Sequence, residues 1–293
     1  MSLLVIGSVA IVAMVLSVIA VGRTGRRVVQ PPSPEQEATA RTTVRWRLAG
    51  LVTGLVVALA VGAQGGLGRG LLLAAPLFGL CVLGGVVVGE LRVRPPQGPV
   101  RRAELGVRRI RDYLPRRLAT SVAVATGVLA LTLVLTTAAG SPDDLGRAGR
   151  RLFRHCTATV AEGRGPWPGS YYTVPLAVLV AAGLLFAATA MVRIVRRPAQ
   201  AGDPAVDDAL RGSAARSVTA AVGVLVSVPL AGVAAVAGMT LAGFGCRPGW
   251  WHVPTAALGV VVPAALVLAA WCAAVLVVPS GERRPTPISP ASR

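Results

Sequence analysis

Four cysteines and two histidines are the residues best suited to redox or metal chemistry in this chain of 293 residues. Cys81 and Cys272 have apolar neighbours, where a thiol packs as a small hydrophobe. Cys156 and Cys246 instead occupy polar segments between apolar runs, close to His155 and His252. Two such cysteines in an oxidising compartment pair with each other, so a disulfide between Cys156 and Cys246 is expected. The same cysteines and histidines offer an alternative, a tetrahedral zinc or copper site. Against it, the adjacent pair His155-Cys156 lacks the usual spacing between ligands.

Otherwise the chain is poor in reactive groups. All 30 of its basic residues are arginine, which excludes a Schiff-base lysine, any other catalytic lysine and a P-loop. No acid, arginine or histidine falls in the middle of an apolar run. A charge at mid-bilayer costs on the order of 2.5–3.5 kcal/mol and is kept for ion pathways and proton relays. A proton-coupled pump, a paired-histidine haem carrier and an intramembrane metalloprotease are therefore disfavoured. Thr126, Thr132 and Thr219 lie within apolar runs but have no histidine there to activate them. No catalytic, cofactor-binding or metal-binding residue is assigned, and no enzyme is expected.

The elements that must position the two external cysteines are membrane helices. With 54% hydrophobic and only 14% charged residues, and a mean hydropathy of +0.66, the chain is too apolar for an ordinary soluble domain. The expected fold is all-α, a polytopic transmembrane helix bundle with seven spans at about 2–22, 48–65, 71–90, 119–139, 173–192, 218–242 and 253–278. Such runs suffice, at 1.5 Å per residue, to cross a hydrocarbon core of about 30 Å. The Arg-rich loop 91–118 sets their direction. It holds nine arginines between two apolar runs, and basic residues in short loops resist translocation. This places it in the cytoplasm, with the N-terminus outside and the C-terminus inside. On that topology 23 of the 30 basic residues are internal. The net charge of +18 then reflects sidedness and attraction to anionic headgroups, worth roughly 1 kcal/mol per basic residue near the surface. Nucleic acid is not an expected partner.

Several local expectations follow. Arg23, Arg26 and Arg27 come after the first apolar run and not before it, so that run reads as an uncleaved helix and not as a signal peptide. Residues 23–47 form a cytoplasmic linker, with a polar, proline-rich and flexible part at 28–40. Gly50 and Gly54, with Gly85 and Gly89, permit close approach of the second and third helices. Glu90 is expected to pair with Arg92 or Arg94. In the Arg-rich loop, Val107, Ile110 and Leu114 fall at helical spacing, which suggests a short amphipathic helix on the cytoplasmic leaflet. Its Arg101, Arg102, Arg108, Arg109, Arg111, Arg116 and Arg117 would contact anionic headgroups. The alternative is a docking surface for a soluble or ATP-hydrolysing protein partner. In the external segment 140–172, Ser141-Pro142-Asp143-Asp144 reads as a helix start, with Leu145, Leu152 and Phe153 as the apolar face of a surface helix. Residues 193–217 read as a cytoplasmic loop with a helix start at Asp203-Pro204, and 279–293 as a disordered cytoplasmic tail. Pro229 and Pro263 should kink their helices.

Pro168-Gly169-Ser170-Tyr171-Tyr172-Thr173-Val174-Pro175 has a counterpart in Pro248-Gly249-Trp250-Trp251-His252-Val253-Pro254. Each joins a turn to an aromatic pair and a Val-Pro helix entry, and each follows one external cysteine. Duplicated hairpins would explain this. So would convergence, since aromatic residues favour interfaces and proline favours helix starts. Trp46, Trp167, Tyr171, Tyr172, Trp250 and Trp251 are the expected interface anchors.

The lysine-free, Ala/Val/Leu/Gly/Arg-rich composition resembles that of uncharacterised multi-pass membrane proteins of high-GC actinobacteria. The run from Arg101-Arg102-Ala103-Glu104-Leu105 to Asp112-Tyr113-Leu114-Pro115-Arg116-Arg117 shares the likeness. The resemblance implies a bacterial plasma membrane and brings no functional residues. Two readings of function remain. One is a scaffold or regulatory membrane protein with 91–117 and 198–216 as its contact surface. The other is a permease-like component for an apolar or lipidic substrate, which a continuous cavity between the sixth and seventh spans would favour.

Overall fold

The computed structural model describes residues 34–64, 68–92, 110–196 and 204–277. The expected first span, the loop arginines Arg101, Arg102, Arg108 and Arg109, and the 279–293 tail lie outside these residues. The helices are α1 (Pro34–Gly62), α2 (Arg69–Leu91), α3 (Ile110–Tyr113), α4 (Arg116–Ala139), α5 (Ser170–Arg196), α6 (Pro204–Gly243) and α7 (His252–Val277). Between α4 and α5 lies an antiparallel hairpin of β1 (Leu152–His155) and β2 (Ala161–Arg164). Six helices, all but α3, are long and apolar enough to cross a membrane.

Helix α6 is the hub. Of its apolar stretch, 78% is buried inside the protein, against 11% for α1, and it packs against α2, α4, α5 and α7. Its sequence explains why. Alanine, valine, glycine and serine recur on every side, and small residues let neighbouring backbones approach where no hydrophobic drive separates protein from lipid. Leu225, fully buried, sits between two glycines of different helices. A Cβ at Gly79 of α2 would stand 2.5 Å from its Cα, and one at Gly183 of α5 would strike its Cδ2. Gly223 makes the same allowance for the Cys272 sulfur of α7. The α6–α7 seam is thus filled at that level.

Helices α1 and α2 form the expected antiparallel pair. A Cβ on Gly85 would lie 2.5 Å from the Trp46 carbonyl oxygen and 2.7 Å from the Gly50 Cα, and one on Gly50 would lie 2.8 Å from the Cys81 carbonyl oxygen. The two glycines are the point of crossing. Beyond it, Arg47 donates to Glu90 at 3.3 Å. Glu90 therefore reaches across the pair; of its two expected partners, Arg92 and Arg94, the Arg92 guanidinium stacks on the Trp46 ring, 5.0 Å from its centroid. The expected partner Arg94 is outside the described residues.

Three expectations about connecting segments are corrected. Helix α1 begins at Pro34, well inside the supposed flexible linker. Proline is preformed for the first helical position. In the supposed 193–217 loop a helix does start at Pro204, as expected, but it is no separate loop helix: α5 runs on to Arg196, and α6 continues from Pro204 unbroken into the apolar stretch and through Pro229. At 40 residues α6 is about 60 Å long, twice what a bilayer core requires. The external surface helix does not form. Gly146 and Gly149 adopt φ of 74° and 67°, left-handed values that end a helix, and Asp143 instead closes a turn by accepting from the Leu145 and Arg147 amides at 3.0 and 2.9 Å.

Substituting Gly85 by valine should push α1 and α2 apart and cost about 1–3 kcal/mol, the usual range for overpacking. Gly84→Val is the internal control, since nothing lies within 4 Å of a Cβ there. Thermal unfolding midpoints in detergent should fall for the first variant and stay near the parent value for the second.

Candidate functional site

An assembly of polar and aromatic side chains caps the bundle where α4 and α6 end and α5 and α7 begin. Its frame is the β-hairpin, paired in the register Leu152↔Arg164, Phe153↔Gly163, Arg154↔Glu162 and His155↔Ala161. Alternation along β1 turns Leu152 inward. There it joins Trp167, Ala237, Leu241, Phe244 and Trp251 in a small core separate from the main one. The Trp167 indole donates to the Thr136 carbonyl at 2.8 Å, satisfying a backbone oxygen in the last turn of α4 that has no helical partner. Beside it the Thr137 and Thr173 hydroxyls share a hydrogen bond of 2.6 Å.

Cys156, just after β1, and Cys246, between α6 and α7, lie at disulfide distance, with Cα atoms 5.6 Å apart. Glu162 strengthens the link. Its carboxylate accepts from the Gly245 amide at 2.9 Å, from the Cys246 amide at 3.2 Å and from Arg164 Nε at 2.8 Å. The Arg164 hydrogen bond first, and the two amides with it, hold the Glu162 carboxyl below its ordinary value despite some desolvation. Nothing in the sequence around Glu162 singles this carboxylate out. Neither histidine joins the pair. Cys156, Cys246 and Glu162 bring their ligand atoms within 4.8 Å of one another, whereas His155 stacks edge-on against Phe153 with ring centroids 5.0 Å apart. The four-residue site of two cysteines and two histidines is therefore not assembled.

Four arginines of the cap are laid against rings. Arg150 lies 3.9 Å and Arg69 4.7 Å from the centroid of Tyr171, Arg151 5.2 Å from that of Phe153, and Arg154 5.4 Å from that of Trp251. Asp143 engages Arg147 at 2.7 Å and Arg150 at 3.8 Å, and Asp144 pairs with Arg151.

The matching Pro-Gly-aromatic entries have matching geometry. Tyr171 and Tyr172 meet edge to face, as do Trp250 and Trp251. In each the second ring is buried and the first is more open. Trp250 is 67% exposed and suits the expected anchor role, while Trp46 and Tyr171 are half-buried. Trp167, Tyr172 and Trp251 are corrected: they are buried within the protein, Trp167 and Trp251 in the small core with Leu152 and Phe244.

At the opposite end Arg111, Arg116 and Arg117 are exposed. The Tyr113 hydroxyl donates to Asp208 at 2.7 Å, which fastens α3 to the early part of α6. Arg211 is fully buried and donates to the Val195 carbonyl at 2.7 Å, at the negative end of α5. Part of the 198–216 segment expected as contact surface is thus interior: Arg211, Ala214 and Ala215 are all buried. Comparison with known protein families, curated proteins and solved structures finds no match for this chain.

The depressed Glu162 carboxyl gives the cap a pH dependence of definite sign. Its contribution is present at neutral pH and is lost as the pH falls below the ordinary glutamate value of 4.5 and through the lower value of the folded state. Protection of the Gly245 and Cys246 amides against exchange, relative to their intrinsic rates at each pH, should fall over that range in the parent protein. In Glu162→Gln that protection should be lower at neutral pH, by about three- to tenfold if one charge-assisted bond per amide is weakened, and nearly flat across the same window.

Proposed function

We propose that this chain is a non-enzymatic multi-pass protein of a bacterial plasma membrane, acting as a scaffold or regulatory partner, with the Arg111 end in the cytoplasm and the β-hairpin cap outside. Two independent markers of sidedness support this orientation. Short basic segments stay in the cytoplasm, and Arg41, Arg45, Arg92, Arg111, Arg116, Arg117, Arg193 and Arg196 lie at the end away from Cys156 and Cys246. Paired cysteines belong to an oxidising compartment, and these two belong to the other end. The observation that carries the partner role is the exposed ledge of Arg111, Arg116 and Arg117. The Tyr113–Asp208 hydrogen bond ties it to a helix roughly twice the length of a span. A basic surface held rigidly at the mouth of a bundle is preorganised for an acidic partner. The permease reading has less support, since the α6–α7 seam is closed where Cys272 meets Gly223.

Orientation is read by a membrane-impermeant maleimide applied to intact cells. Cys156 and Cys246 should react only after treatment with a reductant, and each single Cys→Ser variant should expose the other thiol without it. Reaction confined to lysed cells would invert the topology.

The partner role is read by placing a photo-crosslinking residue at Arg111 or Arg116 and, for comparison, at the exposed apolar positions Val124 and Leu131 of α4. A discrete protein adduct at the arginine positions alone is expected. Lipid adducts at all four positions would leave the ledge as a lipid contact and remove the scaffold reading.

A further inference from the structure

The arginines of the cap differ in how their charge is met. Asp143 and Asp144 serve Arg147, Arg150 and Arg151, and Glu162 serves Arg164. Arg69, the first residue of α2, has no carboxylate within ion-pair distance among the described residues; its guanidinium rests on the Tyr171 ring. Arg150 shares that ring, and its link to Asp143, at 3.8 Å, is longer than the 2.7 Å bond by which Arg147 holds the same oxygen. Two guanidiniums therefore converge on one aromatic side chain with less than one carboxylate between them. The Nε atoms of both are buried and have no hydrogen-bond partner, and a buried donor left unmatched costs about 1–3 kcal/mol.

The backbone adds to this positive field. Helix α2 starts at Arg69 behind Gly68, which offers no side-chain cap, and α5 starts at Ser170, next to Tyr171. Gly149, preceding Arg150, lies so close to the Ser170 amide that a Cβ there would stand 2.4 Å from it. The amino ends of two long helices and two arginines thus meet at one corner, and helix amino ends favour anions.

We propose that this corner is a phosphate-binding site, with Arg69 and Arg150 as the ligating residues and Tyr171 as the platform that holds them. The neighbouring surface favours a phospholipid as the bearer of that phosphate. In the first turns of the same two helices Leu71 and Val174 are exposed apolar residues, placed to meet an acyl chain while the headgroup meets the guanidiniums. The occupant is then an anionic phospholipid of the leaflet on the cap side, distinct from any lipid drawn to the basic residues of the opposite end.

The test is a thermal-shift titration of the purified full chain in an uncharged detergent, with dihexanoyl phosphatidylglycerol, dihexanoyl phosphatidylcholine and inorganic phosphate as probes. Phosphatidylglycerol should raise the unfolding midpoint of the parent protein. Arg69→Gln, which removes no ion pair within the described residues, should bind it about tenfold more weakly, the scale of one charge-assisted contact. Arg247→Gln, at an exposed arginine of the cap whose guanidinium reaches the Ala242 carbonyl, should bind it as the parent does. An equal shift in the parent and Arg69→Gln overturns the site. A full shift with inorganic phosphate at the same concentration keeps the anion site but overturns its assignment to lipid. Should Arg150→Gln fail to fold, Arg69→Gln and Tyr171→Leu still decide the matter.

Discussion

The structure depends on how closely backbones approach α6. Apolar side chains gain little by leaving lipid for protein, so association among helices rests on packing. Here the packing has a particular form, in which Leu225 is received by Gly79 and Gly183, and Cys272 by Gly223. A branched side chain at any of these glycines would move a whole helix. The buried hydroxyls of α6 follow the same logic. Ser217, Thr219 and Ser227 donate to the carbonyls of Ser213, Ala215 and Gly223, four residues earlier in their own helix. Their polarity is satisfied within α6, which explains how a hub helix buries polar atoms.

The two ends of the bundle solve different problems. At the cap, a short β-hairpin with little core of its own is fixed by the cysteine pair, by Glu162 and by arginines lying on aromatic rings. At the other end, side chains of neighbouring helices reach across to each other: Arg47 to Glu90, Tyr113 to Asp208, Arg211 to the last turn of α5. Arg211 shows the difference well. A buried guanidinium is costly unless its donors are met, and the carboxyl end of a helix offers oxygen atoms and a partial negative charge together.

What was legible in the sequence was whatever depends on near neighbours or on composition. Apolar runs located the six long apolar helices to within a few residues at most ends, and glycine spacing put Gly50 and Gly85 at the crossing of α1 and α2. The pairing of Cys156 with Cys246 was also legible, since they were the two cysteines outside apolar runs. The cap was misread because Ser141-Pro142-Asp143-Asp144 does look like a helix start; the left-handed glycines at 146 and 149 decide otherwise. Glu162 and Arg211 were passed over for a different reason. Their partners lie 83 residues away at Gly245 and 16 residues away at Val195, and no local pattern marks such distances. The burial of Trp167 likewise needs a hairpin that only the folded chain supplies.

The cysteine pair spans 90 residues, and that interval contains all of α5 and α6. On the proposed topology the second thiol reaches the far side only when the hub helix has itself been threaded through the bilayer. The cross-link therefore cannot close on a partial product, and the amides that Glu162 grips emerge at the same moment. Closure of the cap thus works as a seal on completed biogenesis: a molecule with a locked hairpin is one whose central helix is already in place.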